Sequence, residues 1–392
     1  MTVLELPSWY LPEGGQFVLH QSKALQEAGC TVRILANVML GWKKYRTQMF
    51  NFSRFPLSPF FTREEGVELL RNYYRPYPRL IGPNIRQWAE TTVRLYEKYA
   101  DRYGQPDIIH VHSATWGAYA ASLIKKKYGV PYVVTEHRGV FGCKCNYARD
   151  FFRPEFADFI AQGYSNADCL VPVSDQLIPK MNEFLIRDVQ FQVVSNIVNT
   201  DFFVPSTRQK PHSPFRFISV NGYYEVKGYD IMLPAFDLLC QSGVDARLRL
   251  VGENFGQQQF QKLLAKTANK DKISFAGELP PDGVKKELQQ ADAFVMSSRV
   301  EAEPVSILEA LSCGLPVAGT DVIPEYELPS QFGIRVPVEQ PEQLAKAMQM
   351  VVEHYADYDA NAAHRHAETI ANKQVVAKQL IDIFESVCAN HK

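Results

Sequence analysis

The sequence predicts an α/β protein of two doubly wound parallel-sheet domains facing a central cleft, and three observations carry that prediction. Short β-rich runs alternate with longer helical patterns along nearly the whole chain, as in strand–helix–strand crossovers whose helices cover both faces of a parallel sheet. The series runs twice, interrupted by a polar, proline-bearing stretch from Pro205 to Pro214. A length of 392 residues, 46% apolar and 22% charged, suits two globular domains and excludes disordered, collagen-like and small disulfide-scaffold classes.

Each element follows from local pattern. Strands are predicted at Val3 to Leu6, Thr31 to Leu35, Ile108 to His112, Tyr132 to Thr135, Cys169 to Pro172 and Gln192 to Ser195. Helices fall between them at Gln16 to Ala28, Ile85 to Tyr103, Gly117 to Tyr128 and Pro154 to Asn166. The second series has strands at Arg216 to Val220, Arg247 to Val251, Ile273 to Ala276, Ala293 to Ser297, Pro316 to Ala318 and Gly333 to Val336. Its helices are Asp230 to Gln241, Gln257 to Asn269, Asp282 to Ala291, Ser306 to Cys313 and Pro341 to Tyr355. A helical tail, Ala360 to Ala389, has no following strand and must pack on existing domains. The expected division is 1–205 and 206–374, with a C-terminal helix at about 375–392 packing back on the first domain. Ligands bind such sheets beyond the carboxyl ends of the strands.

Formal charge excludes a dedicated nucleic-acid binder, since 42 Lys+Arg stand against 43 Asp+Glu. The halves differ: residues 1–200 hold 23 basic and 18 acidic residues, leaving 19 and 25 for the rest. The basic excess lies in Trp42 to Arg102, where Lys43, Lys44, Arg46, Arg54, Arg63, Arg71, Arg75, Arg79, Arg86, Arg94, Lys98 and Arg102 are interleaved with Phe50, Phe52, Phe55, Phe60, Phe61, Tyr73, Tyr74 and Tyr77. Two readings stand. Such a stretch suits an anionic membrane face, where each basic residue contributes about 1 kcal/mol; it equally suits a solvated helical face with core aromatics. Seven scattered cysteines fit reduced thiols, and the lone Cys143-x-Cys145 reads as two unrelated loop thiols. The N-terminus has no signal-peptide pattern and no apolar run reaches the ~18 residues a membrane span needs, so a cytoplasmic protein is expected.

The densest chemical signal is SSRVEAEPVSILEALSCGLPV, Ser297 to Val317. A strand ends, a polar loop carries Glu301 and Glu303, Pro304 opens a helix and Gly314 follows its end. The free N–H groups of Val305 and Ser306 then form an anion site. Glu301 and Glu309 flank it, and carboxylates accept hydrogen bonds from sugar hydroxyls while repelling phosphate, so the demand fits a nucleotide sugar. Taken alone, two glutamates around a surface helix are an ordinary solvated face. His110 and His112 share one strand face by the period of two, which suits a metal pair or a polar core; with no third ligand evident the polar role is favoured.

Glu301 and Glu309 have the spacing of the E-x7-E motif, and this region resembles the retaining glycosyltransferases of family GT4, which have the GT-B fold of two Rossmann-like domains. The match extends through Gly14–Gly15, IIHVHS at 108–113, VVTEH at 133–137, ADCLVPVS at 167–174, VVSNIVNTDFF at 193–203, KGYD at 227–230, LRLVGE at 248–253 and ISFAGELP at 273–280. By this resemblance Glu309 is the ribose ligand and Glu301 stands near the donor sugar. Val305 and Ser306 give N–H groups to the diphosphate or sugar, and Lys227 neutralises the leaving diphosphate. Leu279, Gly222 and Gly252 line the donor pocket. Gly14 and Gly15 resemble the glycine turn at the diphosphate and acceptor, and His137 projects toward the donor sugar. His137, Lys227 and Glu301 are thus the implied catalytic residues.

Two departures stand out. The family arginine before the lysine is missing from VNGYYEVKG; Tyr223 or Asn221 by hydrogen bonding, or Arg138 by charge, is the candidate substitute. Val322, Ile323 and Pro324 replace the usual glycines before Glu325. No metal and no cofactor are expected, because the helix terminus and Lys227 supply the electrostatics; the Asp357-x-Asp359 pair reads as exposed charge. The resemblance implies a hexosyltransferase that uses a UDP- or GDP-sugar and acts on a saccharide or lipid-linked acceptor in cell-surface polysaccharide or lipopolysaccharide assembly. It would be peripheral to the inner membrane face through residues 42–102. A nucleotide-sugar epimerase on the same fold and a catalytically silent nucleotide-sugar-binding subunit are the alternatives.

Overall fold

The computed structural model describes residues 1–11, 14–40, 53–77, 79–142, 153–206 and 211–391. Two compact units result. Described residues within Met1–Phe141, Ala148–Ile197 and Val376–Lys392 form the first, and Gly142 with those within Val198–Val375 the second.

The first unit holds a seven-stranded sheet: β1 (Thr2–Pro7), β2 (Thr31–Met39), β3 (Phe60–Glu64), β4 (Val67–Tyr74), β5 (Ile108–His112), β6 (Tyr132–Glu136) and β7 (Cys169–Pro172), in the order β3-β4-β2-β1-β5-β6-β7. All pairings are parallel except the β3–β4 hairpin at the edge. Helices α1 (Gln16–Glu27), α2 (Ile81–Tyr103), α3 (Tyr119–Tyr128), α4 (Pro154–Ser165) and the short α5 (Ile178–Asn182) accompany it. The central strands are buried on both faces, as parallel strands covered by helices must be.

The second unit holds β8 (Phe215–Val220), β9 (Ala246–Val251), β10 (Ile273–Gly277), β11 (Ala293–Met296), β12 (Val317–Thr320) and β13 (Gly333–Val336), all parallel, in the order β10-β9-β8-β11-β12-β13. The strand order reverses between β8 and β11, the switch point where doubly wound sheets bind ligands. Helices α6 (Tyr229–Gln241), α7 (Gln258–Lys266), α8 (Pro281–Gln289), α9 (Val305–Ser312), α10 (Pro341–Glu353) and α11 (Ala360–Ala371) surround it.

The predicted tail helix is two helices. Asn372 leaves helical geometry (φ −59°, ψ 140°), its side chain donating to Thr200 Oγ1 and accepting from the Gln374 N–H, and α12 (Lys373–Ala389) begins afresh. From Val376 onward α12 belongs to the first unit, burying Val376, Leu380, Ile383 and Phe384 against Val3, Ile108, Val133 and Val171. The chain leaves the first unit at Ile197, short of the polar stretch at Pro205, because Val198 and Phe203 are buried with Ile307, Leu311 and Phe332 of the second.

Three expectations are corrected. Gln192 to Ser195 is no strand; Leu170 and Phe191 form an isolated bridge there. The hairpin β3–β4 lies inside the basic, aromatic stretch, and much of that stretch is core: Phe55, Tyr73 and Tyr74 are buried, and Arg71 is buried and paired with Glu64 at 2.6 Å. Arg54, Arg63, Arg79, Arg86, Arg94, Lys98 and Arg102 stay exposed, near the exposed Tyr77 and Leu80 in sequence. Lys43, Lys44, Arg46, Phe50, Phe52, Cys143 and Cys145 lie outside the described residues. Asp359 is more than exposed charge, since its carboxylate caps α11 by accepting from Asn361 and Ala362 N–H groups.

Candidate functional site

In the second unit the residues singled out by sequence gather at the carboxyl ends of β8, β9 and β11. After β8, a short turn over Glu225–Lys227 presents Lys227, whose Nζ donates to Glu301 Oε1 at 2.7 Å. Both side chains are mostly buried, with relative exposures of 21% and 10%, so the pair is shielded from water and stronger than a surface pair. Gly228 makes this placement possible. It sits at φ 65°, where an L side chain is strained, and a Cβ there would fall 2.1 Å from the Ser297 carbonyl oxygen. Ser297 Oγ in turn donates to the Lys227 carbonyl at 2.9 Å.

Arg299, which the sequence reading passed over, clamps the two loops together. Its N–H donates to Val226 O, and its guanidinium, with 9% side-chain exposure, donates to Glu225 O, to both Asp230 oxygens at 2.8 Å and to Glu339. Those carboxylates raise its pKa further. The arginine of the SSR that follows the strand end was the available signal; its partners, 69 and 40 residues away in sequence, appear only once the chain folds. Two carboxylates consume its charge, so Arg299 does not replace the arginine missing before Lys227.

Of the proposed substitutes in this unit, Tyr223 packs its ring on Phe260 and Tyr229, while Asn221 gives its carbonyl to the Tyr229 hydroxyl. Gly222 and Gly252 let the tips of β8 and β9 touch: Gly252 sits at φ 141°, and a Cβ on it would lie 2.5 Å from Gly222 N. Leu279 follows β10 and packs partly buried against the β11–β12 core.

The helix α9 starts at Val305 with Pro304 as its N-cap and no side-chain cap. One expectation changes: the Val305 N–H is donated to Glu303 O at 3.0 Å and is not free. The Ser306 N–H has no acceptor among the described residues. Ile307, Leu308 and Leu311 anchor the helix in the core. The Glu309 carboxylate makes no hydrogen bond or ion pair to described residues, and burial pushes its pKa up to about 7. A carboxyl left unpartnered in a largely dry place is poised to accept hydroxyl hydrogen bonds.

In the first unit Gly14 (φ 107°) and Gly15 (φ 79°) form the turn into α1, and a Cβ on Gly15 would lie 2.7 Å from Trp9 O. His137 follows β6. Its Nδ1 meets Asn196 Oδ1 at 2.9 Å, its Nε2 meets His112 Nδ1 at 3.1 Å, and its ring lies on Phe17 with centroids 4.2 Å apart. Burial and the neighbouring His112 hold it well below the ordinary histidine range, so it is neutral at pH 7. Arg138 rests its guanidinium over the Trp9 ring at 4.7 Å, and burial lowers its pKa.

Behind His137 the sheet holds a second group that the sequence left incomplete. His112 Nε2 lies 2.7 Å and His110 Nδ1 3.0 Å from Glu5 Oε2, and His110 Nε2 lies 2.7 Å from Thr135 Oγ1. All three side chains are fully buried. Burial drives the Glu5 carboxyl upward, but the two imidazoles outweigh it and hold it down at about 2. Glu5 was missed because VLEL reads simply as strand; only the parallel register, which sets Glu5 beside His110, reveals it.

A two-sheet GT-B architecture with this strand-end constellation in its second unit defines a class, the glycosyltransferases. The family comparison agrees: residues 14–202 match the Glycosyltransferase Family 4 model and residues 204–369 match Glycosyl transferases group 1, so the chain belongs to this glycosyltransferase family. Among relatives, WcaL of Escherichia coli (strain K12), whose name assigns it to colanic acid biosynthesis, is 24% identical across 95% of this chain and 96% of its own. The amylovoran biosynthesis glycosyltransferase AmsK of Erwinia amylovora is 25% identical across 71% and 70%. Among solved structures, sucrose-phosphate synthase from Thermosynechococcus elongatus superposes with a TM-score of 0.78 at 17% identity over the full length of both chains. The Anabaena HepE complex with UDP gives 0.71 at 15% identity, over 98% of this chain and 100% of that one.

Proposed function

We propose that this glycosyltransferase moves a hexose from a UDP- or GDP-sugar to a hydroxyl of a saccharide, in particular a lipid-linked one, during cell-surface polysaccharide assembly, with retention at the anomeric carbon. The observation that carries the reading is the shielded Lys227–Glu301 pair beside the uncapped start of α9, with the unpartnered Glu309 one helix face further on. A diphosphate would draw Lys227 Nζ from Glu301 and accept from the Ser306 N–H, while Glu309 would accept from the ribose diol. Glu301, released, would face sugar hydroxyls.

In the transfer step the bond from the anomeric carbon to phosphate oxygen breaks as the acceptor oxygen bonds to the same face. The acceptor proton passes to the departing phosphate. Lys227 stabilises the negative charge that grows on that phosphate, which makes its contribution larger in the transition state than in the ground state. His137, neutral, serves as a hydrogen-bonding group on the first unit, and no protein nucleophile is needed. WcaL and AmsK, named for colanic acid and amylovoran biosynthesis, support a role in polysaccharide assembly.

A dye-based thermal-shift panel of UDP, GDP, ADP and their sugar conjugates, run with and without chelator, tests the donor site, because ligands of the native state raise Tm. A chelator-insensitive rise with UDP or GDP is expected, followed by transfer of labelled sugar to a lipid-linked acceptor with retained configuration by NMR. No shift with any nucleotide would refute a donor site here and favour a silent subunit; sugar isomerisation without an acceptor would favour the epimerase.

A further inference from the structure

We infer that Glu5, His110 and His112 form a structural binding site for a divalent cation, zinc, within the sheet of the first unit. The site is independent of the donor chemistry proposed above. Its ligands come from two adjacent parallel strands: β1 supplies Glu5, and β5 supplies His110 at the paired register position and His112 two residues on, so all three project from one face.

The hydrogen-bond pattern around the three residues is incomplete without a cation. With Asn196 Oδ1 accepting from His137 Nδ1–H, His137 Nε2, 3.1 Å from His112 Nδ1, is the acceptor of that pair and His112 Nδ1–H the donor. His112 therefore turns a lone pair, at Nε2, toward the Glu5 carboxylate 2.7 Å away. Lone pair against carboxylate is repulsive unless something positive lies between. A proton placed there satisfies His112 alone. It leaves two other fully buried atoms without a hydrogen-bond partner among the described residues, Glu5 Oε1 and His110 Nδ1, the latter 3.0 Å from Glu5 Oε2 but out of line for a hydrogen bond. Each orphaned buried polar atom is costly and calls for an unseen water or ion.

One cation serves all of them. Nδ1 of His110, Nε2 of His112 and the two oxygens of Glu5 give four donors, a nitrogen–oxygen set suited to zinc. One ligand atom from each of the three residues lies within 4.8 Å of the other two. The two oxygens of one carboxylate are too close together to fill two tetrahedral corners, so Glu5 would chelate and the four-coordinate site would be distorted. Donors from different residues at about 2.0 Å from the ion lie about 3.3 Å apart, so the present 2.7 and 3.0 Å separations open by a few tenths of an ångström. The surrounding groups are those of a metal site: His110 Nε2 is held by Thr135 Oγ1 and His112 Nδ1 by His137, each fixing the tautomer that frees the inner nitrogen. Phe384 of α12 packs on the His110 ring with centroids 5.1 Å apart, so the ion would be enclosed as the chain folds and would exchange slowly.

The test is the metal content of the full-length protein by inductively coupled plasma mass spectrometry, after growth in zinc-supplemented medium and again after unfolding and refolding with Zn2+ or Co2+. About one equivalent per chain is expected, retained through EDTA dialysis of the folded protein and released by guanidinium. The Co2+ form should show the intense visible bands of a four-coordinate site. Glu5→Gln and His110→Gln should each lose the metal. Less than about 0.1 equivalent in the folded wild-type protein under both loading regimes overturns the proposal; this arm needs no variant and is unaffected if either variant fails to fold. Retention of one equivalent in both folded variants also overturns it, since the metal would then sit elsewhere.

Discussion

Replacing Glu309 by Gln should make the protein more stable above neutral pH and leave it almost unchanged in acid. The carboxyl ionises near 4.5 when exposed and near 7 in the folded second unit, where burial opposes its charge. Between those values the native state holds a proton that the unfolded chain has released, so this residue's contribution to stability falls as pH rises through the window from 4.5 to 7. At 1.36 kcal/mol per pH unit the full penalty on the ionised form is about 3 kcal/mol, most of it developing between pH 5 and pH 8. Glutamine keeps the shape and never ionises. Urea unfolding of wild type and Glu309→Gln, at half-unit intervals from pH 4.5 to 8.5, isolates the effect, because every other titrating group cancels in the difference. The probe should be far-UV circular dichroism: all four tryptophans (Trp9, Trp42, Trp88 and Trp116) precede the second unit and do not report on it. A difference that stays flat across the pH range refutes the claim that Glu309 sits ready, desolvated and unpartnered. The same variant should weaken UDP or GDP binding.

Lys227→Ala should lower kcat by about 100-fold or more while changing nucleotide affinity much less, since in the proposed transfer its charge acts mainly on the leaving phosphate; equal losses in both would show plain ground-state binding. Gly228→Ala forces a side chain onto left-handed backbone against the Ser297 carbonyl and should cost about 3 kcal/mol, read as a fall in the second unit's unfolding midpoint, with no fall expected for Gly256→Ala, where a Cβ meets open space. If the exposed basic residues bind an anionic leaflet, replacing Arg79, Arg86 and Arg94 by Ala should remove about 3 kcal/mol, seen as roughly 100-fold weaker sedimentation with phosphatidylserine vesicles; unchanged sedimentation removes the membrane contact from the proposal.

Most strands and helices were legible because parallel strands announce themselves as short apolar runs and helices by their period and punctuation. Pro304 and Gly314 bracketed α9 closely, and the E-x7-E spacing pointed to the strand ends where Lys227 and Glu301 meet. What stayed hidden depends on partners far away in sequence. Arg71 looked like surface charge because nothing local says that Glu64 across a hairpin neutralises it. That same hairpin escaped notice because alternating basic and aromatic residues serve a membrane face and a half-buried edge equally well. Glu5 and Arg299 likewise gain meaning only from strand register and loop juxtaposition. The Val305 N–H was expected to be free, but the tight turn at Pro304 lets Glu303 O take it.

The break at Asn372 has a consequence for the order of assembly. Strand β1 leaves the ribosome about 370 residues before the helix that covers Val3, Ile108 and Val171. The second unit is complete in the nascent chain while the first, begun earlier, still exposes an apolar sheet face awaiting α12. The two units therefore close in reverse of the order in which they begin, and a stop codon near residue 373 should leave a folded second unit tethered to a first unit that aggregates.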